Sequence, residues 1–269
     1  MKFCRFQPLE FSAAVTRAGA TLSPSPRIGR IEGELVHELS GNLLGETALA
    51  GKSWKLAEVA LLPPSAPSKI VCVGRNYYAH IAEMQHEVPP EPLIFLKPPS
   101  SIIAPGEPIV IPASSHRTDY EGELCIVIKR RCAQLSDMDD VHPYILGFTC
   151  LNDVTARDLQ EKDDQWTRAK GFDTFCPFGP VLETEIDLKN TTVETFVNGQ
   201  KKQSAPISLM IFPVDVIIRW ISRIMTLEPG DIIATGTPAG VGPLAAGDVV
   251  EISVSGIGTL RNPVQEQVA

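Results

Sequence analysis

The stretch Asp119-Tyr120-Glu121-Gly122-Glu123-Leu124-Cys125-Ile126-Val127-Ile128 constrains this chain more than any other. Its second half is apolar and partly β-branched and reads as a strand. Side chains two apart on a strand share a face, so Glu121 and Glu123 project together with only Gly122 between them. Two carboxylates held that close repel unless a proton or a cation lies between them. In most proteins an acidic pair on a strand is merely the edge of a solvated face. Here a second apolar run, Tyr144-Ile145-Leu146-Gly147-Phe148-Thr149-Cys150-Leu151, ends in Asn152-Asp153 and brings a third carboxylate to a strand end. Three carboxylates suit a hard, oxygen-preferring ion such as Mg²⁺ or Mn²⁺.

With 269 residues, 43% of them hydrophobic, the chain can bury a full core. A formal charge of −8, with no basic run longer than Lys129-Arg130-Arg131, argues against nucleic acid and anionic membrane as partners. The first residues, Met1-Lys2-Phe3-Cys4-Arg5-Phe6, lack the apolar core of a signal peptide, and no later stretch is long enough to span a bilayer. The expectation is a cytoplasmic protein. The six cysteines lack metal-type spacing and read as reduced core thiols.

Residues 1–62 alternate in short segments such as Arg30-Ile31-Glu32-Gly33-Glu34-Leu35-Val36-His37, which reads as a small N-terminal β domain. His37 there reads as a surface strand residue. The Pro-rich joint Leu62-Pro63-Pro64-Ser65-Ala66-Pro67-Ser68 opens a second domain over 63–269. In that domain Lys69-Ile70-Val71-Cys72-Val73-Gly74 is a strand stopped by glycine, and residues 75–84 have helical spacing. His80 and Glu83, three apart, share a helical face, and a carboxylate beside an imidazole is what a general base needs. Lys97 either reaches inward or caps a strand end. Thr155 and Asp158 match a helix-capping signature. Residues 166–180 read as a loop around Lys170, Asn198-Gly199 as a hairpin turn, and Val214, Ile217, Ile218, Ile221, Ile224 and Met225 as the apolar stripe of a helix. The Thr235–Pro243 segment offers N–H and hydroxyl groups able to hold a carboxylate.

Taken in order, Gly74-Arg75-Asn76-Tyr77, Asp119-Tyr120-Glu121-Gly122-Glu123-Leu124, Asn152-Asp153-Val154-Thr155-Ala156-Arg157-Asp158, Lys170 with Phe172-Asp173-Thr174-Phe175-Cys176-Pro177, Val197-Asn198-Gly199 and Thr235-Gly236-Thr237-Pro238-Ala239-Gly240-Val241-Gly242 closely resemble the fumarylacetoacetate hydrolase family over residues 69–263. The resemblance implies an α+β, predominantly β fold, the family's mixed β-roll, paired as a homodimer. It maps the metal ligands onto Glu121, Glu123 and Asp153. It makes His80 and Glu83 a catalytic dyad on a lid, Lys170 a catalytic lysine beside the metal, and Arg75, Tyr77, Gly236 and Thr237 substrate contacts. The sequence departs from the family at Pro206-Ile207, where relatives often carry Asn-Thr, so a polar substrate contact is not carried over there.

Family members act on 2-oxo acids. The leading expectation is a Mg²⁺-dependent hydrolase that cleaves a C–C bond in a 2,4-dioxo acid of acylpyruvate or fumarylpyruvate type, with His80 activating water. The alternatives are an isomerase of the 5-carboxymethyl-2-hydroxymuconate or 2-hydroxyhepta-2,4-diene-1,7-dioate type, an oxaloacetate decarboxylase, and a non-catalytic binder of metal and keto acid.

Overall fold

The computed structural model describes residues 1–11, 20–22 and 26–267. Its strands form three sheets of 13, 5 and 3 members. The large sheet runs, neighbour to neighbour, through Thr47–Lys55, Leu35–Gly41, Arg27–Glu32, Lys2–Phe11, Cys176–Glu183, Ile145–Asn152, Gly122–Ile128, Ile232–Ala234, Ile70–Gly74 and Leu93–Lys97. Helices are few and short, the longest being Val214–Ile224, so the fold is α+β and predominantly β. No helix among the described residues is long and apolar enough to cross a membrane.

The two apolar runs of the sequence lie at the centre of this sheet. Gly122–Ile128 is buried along its whole length and pairs antiparallel with Ile145–Asn152. Its alternation divides the core. Leu124, Ile126 and Ile128 belong to the core cluster that also takes in Val214, Ile217, Ile218 and Ile221 of the long helix and Val193, Val250 and Ile252 of the five-stranded sheet. Cys125 and Val127 pack on the other face with Ile70, Leu151 and Phe178. The predicted stripe holds except at its end: Ile224, the helix's last residue, is 54% exposed, and the chain turns to extended backbone at Met225. All six cysteines are buried free thiols, and burial pushes those of Cys4, Cys150 and Cys176 up to about 12.

The N-terminal strands hydrogen-bond into the same sheet, with Lys2 and Phe3 opposite Glu183 and Leu182. The proline-rich joint is held down by one carboxylate. Asp231, with no exposed side-chain surface, accepts from the Ser68 N–H and hydroxyl, the Lys69 N–H and ammonium, and the Glu228 N–H. Asp231→Ala strands these donors and is expected to lower stability by about 3 kcal/mol, read as a drop in Tm.

Asn198 and Gly199, both at positive φ (51° and 76°), make the expected hairpin turn between Thr192–Val197 and Gln200–Pro206. The capping signature at Thr155 and Asp158 is not used as such. The helix there is Arg157–Lys162 with Ala156 as its N-cap. Thr155 bonds back to the Asp153 carbonyl, and Asp158 accepts from Ser115 and the His116 N–H. Distant donors took Asp158, while Thr155 made a different local bond. The expected loop over 166–180 instead contains a short helix, Thr167–Lys170, and a central strand, Cys176–Glu183. Ile102–Ile103 pairs in parallel with that strand.

Candidate active site and metal centre

The expected continuous strand over 119–128 is broken at Glu121. Thr118–Tyr120 belongs to the small sheet, pairing with Thr155–Ala156 and Gly242–Pro243, while Gly122–Ile128 belongs to the large one. At the break, the Glu121 N–H donates to Asn152 Oδ1 and the Glu121 carbonyl accepts from the Asp153 N–H, both at 2.9 Å. These two bonds tie the strand end carrying Asp153 to the acidic pair. Gly122 is required because a Cβ there would lie 2.2 Å from Thr195 Oγ1 of the five-stranded sheet, which crosses at that point. As a result, one carboxylate oxygen each from Glu121, Glu123 and Asp153 lies within 4.8 Å of the others, all three side chains being buried.

Cations of the chain surround the triad unevenly. Lys170 donates to Glu121 Oε2 at 2.8 Å and to Asp153 Oδ2 at 2.6 Å, with its ammonium 5.0 Å from the centre of the Phe95 ring. Arg157 joins Glu121 Oε1 at 2.6 Å to Asp119, and Lys97 reaches Asp153 Oδ1 at 2.5 Å. Burial alone would raise the Glu121 carboxyl, but Lys170 and Arg157 outweigh it and hold the group well below the usual carboxylate range. Burial would likewise lower Lys170, and Asp153 and Glu121 more than reverse this. Glu123 is the exception. Burial, then Asp153 and Glu121, push it well above the usual range, and its one N–H donor among the described residues is Gly236 at 2.7 Å.

This donor set fits a divalent cation. Three buried oxygen ligands converge, and burial together with two acidic neighbours makes it costly to ionise one of them, Glu123, unless a cation joins it. Glu121, Glu123 and Asp153 are the residues able to hold it.

The triad forms one wall of a cavity of about 410 Å³, whose lining also includes Arg75, His80, Arg157, Lys170 and Thr237. His80 and Glu83 lie on the Tyr78–Glu83 helix, shorter than the sequence spacing predicts, with His80 Nδ1 3.4 Å from Glu83 Oε2. Burial lowers the imidazole pKa, and Glu121 and Glu83 restore part of the shift. Both Glu83 oxygens accept from the Gly240 N–H at 3.1 Å. The Thr235–Pro243 segment therefore does grip carboxylates, as its sequence suggests, but they are the protein's own Glu123 and Glu83. Thr237 lines the cavity while its hydroxyl donates to the Gly122 carbonyl and accepts from Gln203.

Arg75 adopts a left-handed conformation (φ 61°), reaches the cavity and has no carboxylate partner among the described residues. Tyr77 precedes the helix and lies outside the cavity lining, with a buried hydroxyl that has no hydrogen-bond partner among the described residues. Pro206 and Ile207 do not line the cavity.

Four residues of this network are given no role at the site by the sequence reading. Lys97 had been left open, and Arg157 had been read only as part of a helix start. Asp119 accepts from Arg117 and Arg157. Gln203, 1% exposed, ties the Gly122 N–H and Thr195 to Thr237 and the Pro238 carbonyl. The available signal was a lone charge or amide in an apolar context, as with Lys97 after Leu93-Ile94-Phe95-Leu96.

Comparison with known proteins agrees with this architecture. Residues 69–265 match the family model described as fumarylacetoacetate (FAA) hydrolase C-terminal, and residues 1–64 match one described as Rv2993c-like, N-terminal. Protein Rv2993c of Mycobacterium tuberculosis is 49% identical over 259 residues, covering 92% of this chain and 97% of that one. Oxaloacetate tautomerase YisK of Bacillus subtilis is 41% identical over 230 residues, covering 78% of this chain and 75% of that one. The crystal structure of 5-carboxymethyl-2-hydroxymuconate delta-isomerase from Mycobacterium smegmatis superposes with a TM-score of 0.87 at 43% identity, covering 99% of this chain and all of that one. With a family model spanning most of its length and relatives of this identity on either side of it, the chain belongs to the fumarylacetoacetate hydrolase family.

Proposed function

We propose that this protein is a Mg²⁺- or Mn²⁺-dependent enzyme that moves a proton on a short 2-oxo acid, as a keto–enol tautomerase or a double-bond isomerase, and that it acts as a homodimer. The observation that carries the reading is an imidazole backed by a carboxylate, His80 with Glu83, whose ring lines the same cavity as a buried tri-carboxylate site. A bound ion would supply a Lewis acid for the substrate's carboxylate and 2-oxo oxygens, favouring the enolate. Glu83 holds the Nδ1 side of His80, which leaves Nε2 to take the proton from C3 and return it. Lys170 adds positive charge beside the same oxygens, and Arg75 is placed to receive a second carboxylate.

Hydrolysis of a C–C bond remains the alternative. It asks more of the site, because water must be activated and a carbon leaving group expelled as well. The names of the relatives, a tautomerase and an isomerase, favour the simpler proton shuttle. The test is product analysis on a panel of oxaloacetate, acylpyruvates and hydroxymuconate-type acids, with Mg²⁺ or with chelator. The expected outcome is faster loss of enol absorbance, or a shifted double bond, with no fragments and no activity in chelator. Pyruvate plus a second acid would restore the hydrolase reading, and CO₂ would signal a decarboxylase. Binding without turnover of any acid would leave a metal and keto-acid binder.

A further inference from the structure

Lys97 is a cation that pairing alone does not require. It ends the Leu93–Lys97 strand, its side chain is wholly buried, and its ammonium donates to Asp153 Oδ1 at 2.5 Å and the Val154 carbonyl at 3.1 Å. Burying an ammonium carries a large desolvation cost. Yet Asp153 already has a buried partner, since Lys170 occupies its other oxygen at 2.6 Å. One carboxylate thus holds two ammonium groups.

Formal charge indicates what the surplus does. The cluster contains four buried carboxylates, Asp119, Glu121, Glu123 and Asp153, and three buried cations, Lys97, Arg157 and Lys170. Arg117, half-exposed, closes the chain of pairs at the surface by binding Asp119. Fully ionised, the cluster is neutral. A divalent ion held by the triad leaves it with two positive charges, and the ligand that restores neutrality is a dianion. The reacting end of a 2-oxo acid carries one negative charge in the keto form and two once C3 has lost its proton. Without Lys97 the surplus would be a single charge, matched to the keto form.

We propose that Lys97 is a positioning residue that acts through Asp153 to set the charge of the loaded site, so that it favours the dianionic enolate over the monoanionic keto acid. The proposal rests on the 2-oxo acid reading above. It implies two effects of opposite sign, because a buried cation beside a ligand opposes the metal ion and favours the dianion. A lysine that only held Asp153 in place would assist both.

The experiment uses full-length Lys97→Met and Lys97→Gln, the second keeping a neutral donor toward Asp153. Calorimetry with Mn²⁺ alone is followed by titration of the Mn²⁺-saturated proteins with oxalate, a planar dianion, and pyruvate, a monoanion. Both variants are expected to bind Mn²⁺ about tenfold tighter and oxalate about tenfold weaker, with pyruvate weakened only about threefold, as its single charge requires. Weakening of all three ligands together overturns the proposal, as does failure of both variants to fold, since either makes Lys97 merely structural. A parent protein that binds Mn²⁺ but neither acid overturns the 2-oxo acid reading instead, and the Mn²⁺ affinities then decide whether Lys97 tunes charge.

Discussion

Glu123→Gln is expected to reduce turnover by at least roughly 10³-fold and to abolish tight Mn²⁺ binding, yet to leave the chelator-treated protein as stable as the parent or more so. The reason lies in how unevenly the cations are shared. Glu121 is held by Arg157 and Lys170, and Asp153 by Lys97 and Lys170, whereas among the described residues Glu123 has only the Gly236 N–H. A neutral isostere at Glu123 removes a group that the metal-free fold can hold only by keeping it protonated, and it strands no cation. Glu121→Gln should behave oppositely in chelator. It leaves buried Arg157 and Lys170 without one of their counter-ions and is expected to cost about 3 kcal/mol. Thermal melts of the two variants in chelator, beside Mn²⁺ titrations, test the contrast. Equal destabilisation by both would mean that Glu123 is paired in some other way.

A pH dependence follows from the same asymmetry. In the metal-free chain Glu123 keeps its proton at pH values where the unfolded chain has lost it, because its folded pKa is raised. The folded state then binds more protons, so its stability declines as pH rises from the ordinary carboxylate range through the raised value. Glu123→Gln lacks this group, and the difference in Tm between variant and parent should widen toward high pH in chelator. Saturating Mn²⁺ reverses the ranking, since only the parent gains from binding.

The triad was legible in the sequence because a carboxylate inside a β-branched run is anomalous on its own terms, and three such anomalies in two neighbouring runs limit the explanations. His80 and Glu83 were legible for a local reason, their spacing of three. What the sequence could not reveal is what neutralises the carboxylates. Lys97 meets Asp153 from 56 positions away and Arg157 meets Glu121 from 36, and nothing in a local pattern distinguishes such pairs from solvated charges. The break at Glu121 was hidden for a related reason, since it arises where the small sheet captures Asp119 and Tyr120 through Pro243 and Gly242. Asp158 shows the converse, part of a local capping signature whose carboxylate was taken by donors 43 and 42 positions away in the sequence.

His80→Asn is expected to lower kcat by about 10²–10⁴-fold while leaving Mn²⁺ affinity within about twofold, because the imidazole handles the proton but does not hold the ion. Burial draws the His80 pKa below its ordinary value of 6.5, so the neutral, proton-accepting form dominates at pH 7. The acid limb of kcat/KM should accordingly lie below that value and move lower still in Glu83→Gln, which removes one of the groups raising the imidazole. The same variant also loses charge at the acceptor for the Gly240 N–H, so its plateau rate should fall as the imidazole loses its orientation. Should His80→Asn keep full activity, the proton must travel through another group. His86 is the other imidazole lining the cavity, and burial lowers its pKa as well, so a double variant would then separate the two.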